Sequence, residues 1–454
     1  MKNILKYLLT FIICVVICFG ALALSTLIPQ GNIRDNIKES AEIMKKQGER
    51  FFVWSLGREL PIHNSTDAIM LNMTYSLNNE DLVKSVLIPS RNKVPGVSTQ
   101  EVVKDALGDL PRESKDYLMT EELSKLVDHN SEQKTYEYAR YWHGYIPILR
   151  PLLLIFNISQ IRILFYLITL ILIAYLVKKI WDKNKILAIS TILCFLIFDI
   201  VFWHLNIQGV FVMIITLSMA CLIANKKINS NNITFAYFIV GALIAYLDFL
   251  TFPLLSFLLP LVIYTLFNKE DNKKDMYTLL IKNMFSWGIG YLAIWASKWM
   301  LIDVIYQEGM IDHAITQVIY RTGIAENRMP FGQMVLGGIL NNLASSFAII
   351  ILVFIFYLFV ISVIVFDTKG NIKKYILGSK KTIYYIVCGL VYAWYIVFAE
   401  HSWQHYFYTY RLQIASLLAI MFIIFDNDFT EVKTNFNLII SIFKNKKEKS
   451  NDRN

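Results

Sequence analysis

The feature that most constrains this chain is a series of long apolar runs that contain almost no charged residues. Runs of roughly 17 to 25 residues allow an α-helix to cross a hydrocarbon core about 30 Å thick. The runs lie near 4–28, 160–177, 186–203, 208–224, 233–248, 251–267, 281–303, 340–366, 382–398 and 411–425. We therefore predict an all-α, polytopic transmembrane helical bundle of about ten spans.

The composition favours a membrane protein over a soluble one. The 454 residues are 56% hydrophobic and 17% charged, with a mean hydropathy of +0.46, whereas soluble domains contain about 25% charged residues. The formal net charge of +9 does not indicate nucleic-acid binding, because the lysines collect in short loops between apolar runs. All five cysteines fall inside apolar runs, so no disulfide framework is expected.

Polar stretches divide the chain into four parts. Residues 1–28 form a first helix that we interpret as a retained signal anchor, and 29–159 form an external, mostly helical segment. Residues 160–425 form the bundle, with a second external loop near 304–338 that shows no strong periodicity, and 426–454 form a basic tail. Because lysine-rich loops face the cytoplasm, we expect a plasma-membrane protein with both termini in the cytoplasm.

All seven histidines lie outside the predicted spans or at their outer ends, so we expect the chemistry on the outer face. The first candidate cluster precedes the second span and contains Arg140, Trp142, His143 and Arg150. Its hydrogen-bond donors suit a lipid phosphate or a sugar. An aromatic belt with arginines that reach lipid headgroups explains the same residues equally well.

The second cluster follows the run 382–398 and contains Glu400, His401, His405 and Arg411. His401 and His405 are four residues apart and share a helix face, but the acid of the zinc-protease pattern is absent between them. We therefore predict no metal site at these histidines. Whether the protein uses a divalent cation as a cofactor is left open. Arg411 begins an apolar run, where it requires an anionic partner such as Glu400, another acid or a ligand phosphate.

The third cluster consists of charged residues at the outer ends of spans, namely Asp199, Asp248 and Lys298. Such groups are costly in hydrocarbon unless they are paired or hydrated, so they indicate either a site or a structural pair of Asp248 with Lys298. We favour the site and take Asp248 as a catalytic candidate. In the external segment, Asp67 follows a polar turn, where it either caps a helix or acts as a base.

Three sequence patterns resemble those of an uncharacterised family of bacterial envelope multi-pass membrane proteins. They are Tyr141-Trp142-His143-Gly144 with Arg150-Pro151-Leu152-Leu153, Asp248-Phe249-Leu250-Thr251 with Pro253-Leu254, and Tyr410-Arg411. The large first external loop, its candidate acid and the outer-face cations resemble the polytopic GT-C class of glycosyltransferases.

The GT-C resemblance implies an enzyme that transfers a polyprenyl-phosphate-linked sugar to an envelope acceptor on the outer face. It matches Asp67 to the loop acid, although in this sequence only Asp35 lies close to the first span. It implies a donor site at headgroup depth, to which we assign Arg140, Trp142, His143, Arg150, Lys298, Glu400, His401, His405 and Arg411.

Two other functions compete with the enzyme. A transporter or flippase of a lipid-linked envelope component is expected to carry charges near the bilayer midplane and broken helices. This chain has its charges at one end of the spans, which favours the enzyme. A non-catalytic envelope assembly protein would use the same outer-face polar layer for structural contacts.

Overall fold

The computed structural model describes residues 2–93, 119–128, 134–268, 273–324, 329–346 and 381–425. This part of the chain is mostly helical. Four of its helices are long and apolar enough to cross a membrane, namely Ile4–Ser25, Ile158–Trp181, Met276–Tyr306 and Tyr406–Ile423. The fold is therefore that of a helical membrane protein.

The prediction of about ten spans is not supported. Five predicted spans correspond to shorter apolar helices, namely Lys185–Ile197, Val210–Ala224, Ile233–Leu247, Leu255–Phe267 and Thr382–Val397. Helices of this length rise only about 20–24 Å, less than a hydrocarbon core of about 30 Å. The error arises because apolar composition does not show where a helix ends. The run 186–203, for example, continues through a turn after Ile197 into a 3₁₀ helix. The predicted span 340–366 lies largely outside the described residues.

The external segment, predicted to be mostly helical, contains short strands as well as helices. Its helices include Gln30–Gln47 and Met119–Asp128, and its two antiparallel strand pairs were not predicted. The elements in chain order are α1 (Lys2–Ser25), α2 (Gln30–Gln47), β1 (Arg50–Ser55), β2 (Arg58–His63), α3 (Ser65–Ser76), α4 (Leu82–Leu87), β3 (Ser90–Lys93), α5 (Met119–Asp128), β4 (Lys134–Glu137) and α6 (Ile146–Leu152).

The rest of the described chain is helical. Its elements are α7 (Ile158–Trp181), α8 (Lys185–Ile197), a 3₁₀ helix (Ile200–Leu205), α9 (Val210–Ala224), α10 (Ile233–Leu247), α11 (Leu255–Phe267), α12 (Lys273–Tyr306), α13 (Met310–Thr322), α14 (Phe331–Ala344), α15 (Lys381–Val397), α16 (Ala399–Gln404), α17 (Tyr406–Thr409), a 3₁₀ helix (Tyr410–Leu412) and α18 (Gln413–Phe425). The predicted external loop near 304–338 thus contains α13 and the start of α14.

Two glycines bring α10 and α12 unusually close together. A Cβ atom on Gly241 would lie 2.1 Å from the carbonyl oxygen of Trp287, and one on Gly290 would lie 2.2 Å from that of Phe238. Small residues at such contacts let the backbones of membrane helices approach each other. This contact fixes the position of α12 and of the aromatic side chains that it carries.

Candidate functional site

Aromatic side chains occupy every fourth position on one stretch of α12. They are Trp287, Tyr291, Trp295 and Trp299, and successive ring centroids lie 5.2, 5.1 and 5.6 Å apart. Twelve residues of helix rise about 18 Å, so this aromatic ladder follows about half of a bilayer core. It forms one wall of a cavity of about 280 Å³, which we call the aromatic cavity.

The opposite walls of the aromatic cavity come from α13 and α15. Trp394 and Phe398 contribute further rings, and the exposed Leu292 and Val318 also line the cavity, so it opens at the side of the protein. Within the described part of the chain, the Tyr291 hydroxyl and the Trp394 indole N–H are buried without a hydrogen-bond partner. Buried polar groups normally have one, so these two point to a ligand.

Two arginines provide the charged end of the aromatic cavity. Arg140 donates from Nη1 to Oε1 of Gln317 at 2.6 Å, and its carbonyl accepts from the Trp299 indole at 3.0 Å. Arg321 donates from Nη1 to Nδ1 of His401 at 2.6 Å. Both hydrogen-bond partners are uncharged when they accept in this way, because an imidazole nitrogen that accepts carries no proton. These hydrogen bonds do not neutralise either guanidinium charge, although Arg321 also lies near the carboxyl group of Glu400.

Glu400 lies beside Arg321 in α16. In the described part of the chain, neither of its carboxylate oxygens accepts a hydrogen bond of good geometry, although Tyr320 and Arg321 lie close to it. Burial raises the pKa of Glu400 to about 7, and the charge of Arg321 only partly opposes this effect. A carboxyl group with a pKa near neutrality can accept and return a proton at physiological pH.

Asp248 lies in the short connection between α10 and α11. Its carboxylate accepts from the Thr251 N–H at 2.8 Å and from the Thr251 hydroxyl at 2.5 Å. Leu250, within this turn, has a left-handed φ of 65° and lines the aromatic cavity. Burial raises the pKa of Asp248 to about 6. The carboxylate holds the turn in place, so Asp248 contributes to the shape of the cavity.

A second cavity of about 210 Å³, which we call the polar cavity, shares Arg140 with the first. Its lining combines the chemical groups of Tyr136, Glu137, Glu308 and His313 with apolar residues such as Ile302 and Met310. Arg140 is therefore common to an aromatic cavity and to a cavity of mixed polar and apolar character.

Asp67 lies away from these cavities in a buried ion pair. Arg162 donates to Oδ2 of Asp67 from Nη2 at 2.6 Å and from Nε at 2.9 Å. The Ile207 N–H donates to the same oxygen at 3.0 Å. The fully buried carboxylate joins the external segment to α7 and to the start of α9. Burial raises the pKa of Asp67, and Arg162 acts in the opposite direction. These contacts favour a structural role over that of a base.

Arg150 is also occupied by structural contacts. It donates to the carbonyl of Ile28 at 2.7 and 3.1 Å, to that of Thr74 at 2.8 Å and to that of Leu77 at 2.7 Å. The side chain is buried. Arg150 thus ties α6 to the chain that follows α1 and to the end of α3, and it lies apart from the two cavities.

Trp142, His143 and Lys298 hold the segment before α6 against its neighbours. The Trp142 indole donates to the Ile294 carbonyl at 2.7 Å, and the Lys298 ammonium donates to the Tyr141 carbonyl. His143 contacts the Tyr138 carbonyl through Nε2 at 2.7 Å. Asp248 and Lys298 do not form the ion pair considered as an alternative. Asp248 accepts from Thr251, and Lys298 donates to the Tyr141 carbonyl. These residues position Tyr141 and Arg140, which line the aromatic cavity.

Arg411 and His405 complete the predicted set. Arg411 donates to the Gln208 carbonyl at 3.3 Å and lies over the Trp203 ring at 5.5 Å. Among the described residues no carboxylate forms an ion pair with Arg411, so the expected acidic partner is not found there. His405 stacks on Tyr408 at 5.2 Å, and burial and Arg321 lower its pKa to about 3.

Among all the residues that the structure describes, no group of three or more His, Cys, Asp or Glu side chains could hold a metal ion.

The sequence prediction missed Arg321, Gln317 and the aromatic ladder. The ladder had a detectable signal, because large aromatic residues recur at every fourth position from Trp287 to Trp299. Arg321 had none, since it lies in a region that was read as a loop. Comparison of the chain with protein-family models, with curated proteins and with solved structures found no match.

Proposed function

We propose that this protein is a membrane glycosyltransferase of the GT-C kind that uses a polyprenyl-phosphate-linked sugar to modify an envelope glycan, lipid or protein. The proposal places the reaction at the outer face of the plasma membrane. One observation carries it: Arg140 lines both the aromatic cavity, whose wall includes exposed residues, and the polar cavity. A lipid phosphate sugar has the same order of parts, with an apolar chain, an anion and a polar headgroup.

The aromatic cavity suits the lipid chain. Its walls are almost wholly apolar, and the aromatic ladder runs along the long axis of α12 from mid-helix toward Trp299. The opening beside Leu292 and Val318 would admit a chain from the bilayer without passage through water. Aromatic rings offer large contact areas to an unsaturated hydrocarbon chain.

The arginines suit the phosphate. Guanidinium groups bind phosphate oxygens through charge-assisted hydrogen bonds. Arg140 and Arg321 both line the aromatic cavity and donate hydrogen bonds to the neutral partners Gln317 and His401, and Arg321 also lies near the carboxyl group of Glu400. Stabilisation of a departing phosphate is a common source of catalysis in such sites.

Glu400 suits the role of general base. In the proposed step, its carboxylate takes the proton of an acceptor hydroxyl while that oxygen bonds to the anomeric carbon. The bond from this carbon to the phosphate oxygen breaks, and the lipid phosphate leaves with the electron pair toward Arg140 and Arg321. Glu400 replaces Asp67 in this role because Asp67 is paired with Arg162.

The test is transfer of labelled sugar by the purified protein in proteoliposomes. Synthetic polyprenyl-phosphate donors carrying different labelled hexoses are supplied with candidate envelope acceptors. We expect Glu400→Gln to lower kcat by about 10²–10⁴-fold while donor binding persists. Arg321→Gln should instead weaken donor binding. Glu42→Gln and Lys45→Gln, on the exposed face of α2, serve as matched charge controls and should remain active.

A flippase would give a different result in the same vesicles. The labelled donor would move between leaflets, and its bond from sugar to phosphate would stay intact. Movement without transfer, for every donor and acceptor supplied, would overturn the glycosyltransferase proposal. Retention of full transfer activity in Glu400→Gln would overturn the assignment of the base.

A further inference from the structure

The hairpin of β1 and β2 has two unlike faces. In its antiparallel register, Phe52 pairs with Pro61 and Trp54 pairs with Glu59. Phe52 is 52% exposed and Trp54 is 69% exposed, and Leu56 at the turn is 50% exposed. On the other face, Leu60 and Ile62 are buried. The hairpin therefore packs one side against the protein and presents large apolar side chains on the other, together with the exposed charged residues Arg50 and Glu59.

Two hydrogen bonds fix the turn of this hairpin to the end of α8. The Ser55 hydroxyl donates to Oδ1 of Asp199 at 2.5 Å, and the Arg58 guanidinium donates to Oδ2 of Asp199 at 2.5 Å. Asp199 is buried and adopts a left-handed backbone conformation directly after the helix. The position of Asp199 in the membrane therefore sets the position of the turn.

The length of α8 places Asp199 within the hydrocarbon layer. The helix begins at Lys185, directly after the polar residues 182–184 that follow α7, and α7 is long enough to cross a membrane, so this end lies at a membrane boundary. Asp199 follows fourteen positions later, which corresponds to a rise of about 21 Å. The hydrocarbon core is about 30 Å thick. The turn of the hairpin thus reaches below the opposite boundary, where exposed side chains meet lipid.

Exposed apolar side chains lie along α8 and on both sides of Asp199. Ile189, Leu193 and Leu196 are exposed along the helix, and Val201 is exposed just beyond Asp199. At the far end of β1, the Arg50 guanidinium lies 4.8 Å from the Phe52 ring. An arginine beside an aromatic ring can reach the headgroups while the ring lies in the hydrocarbon.

We propose that this hairpin inserts into the bilayer and anchors the external segment to the leaflet on its own side. Phe52, Trp54 and Leu56 lie among the acyl chains, and Arg50 contacts lipid phosphates. At this depth Arg58 is paired with the buried carboxylate of Asp199. The inference does not depend on the proposed glycosyltransferase activity.

Depth-dependent fluorescence quenching tests the hairpin anchor. A bimane label is attached to Trp54→Cys, and separately to Phe52→Cys, in the full-length protein in proteoliposomes. Lys125→Cys, on the exposed side of α5, is the water-facing control, and Ile189→Cys is the lipid-facing control. Labelling of the wild type measures the contribution of the native cysteines.

We expect brominated lipids to quench labels at 54 and 52 several-fold more strongly than at 125, and close to the extent seen at 189. Aqueous iodide should show the opposite order. Quenching of both hairpin labels by iodide as at 125, without quenching by brominated lipid, would show a hairpin in water and overturn the proposal. Because both positions are exposed, neither substitution removes a core contact.

Discussion

The raised pKa of Glu400 predicts how the rate of the reaction depends on pH. Burial raises its pKa to about 7, and a general base acts only in its deprotonated form. We therefore expect kcat to rise with pH and to reach half of its maximum near pH 7. A pH–rate profile of sugar transfer measures this. A profile that is flat from about pH 5 to about pH 8 would contradict the assignment.

Glu400 also makes stability depend on pH, which can be measured without any substrate. Its folded pKa of about 7 exceeds the ordinary value of 4.5, so between these values the folded state binds more protons than the unfolded state. The free energy of unfolding therefore falls as pH rises through this interval. Thermal unfolding of Glu400→Gln should show a smaller decrease over the same interval. Equal decreases in the wild type and the variant would contradict the raised pKa.

At the scale of elements, the contact of α10 with α12 should be intolerant of a methyl group. Gly241→Ala places a Cβ atom 2.1 Å from the carbonyl oxygen of Trp287, so the two helices must move apart. We expect a loss of about 1–3 kcal/mol in the free energy of unfolding. Thermal unfolding in detergent measures it. Gly20→Ala in α1, where a Cβ meets open space, is the control, and equal stability of the two variants would argue against the close contact.

At the scale of the whole molecule, buried charges join the external segment to the bundle. Arg162→Met leaves Asp67 buried without its ion pair, so we expect a loss of about 3–5 kcal/mol. The double variant Asp67→Asn, Arg162→Met should recover part of that loss, since an amide still accepts from the Ile207 N–H. Unfolding measurements give the stability. If Asp67 acts only in structure, the double variant also retains sugar transfer.

The apolar pattern of the sequence determined the class of the molecule. A long run without charged residues can lie in the hydrocarbon core whatever the rest of the chain does, so this property is visible in the local sequence. The sequence also singled out Asp248, Arg140 and Glu400 as candidate site residues, and these assignments stay predictions. It did not determine the number of spans, since a run that passes through a turn looks the same as a continuous helix.

Only the tertiary structure decided which polar groups are used up by contacts within the protein and which line a cavity. Arg150 and Arg140 look alike in sequence, yet the first donates to three backbone carbonyls and the second lines two cavities. Asp67 is likewise committed to Arg162, which lies 95 residues away along the chain. The partner of a charged group depends on contacts between distant segments. Local sequence gives the chemistry of a side chain, and the packing of the chain decides whether that chemistry is available to a ligand.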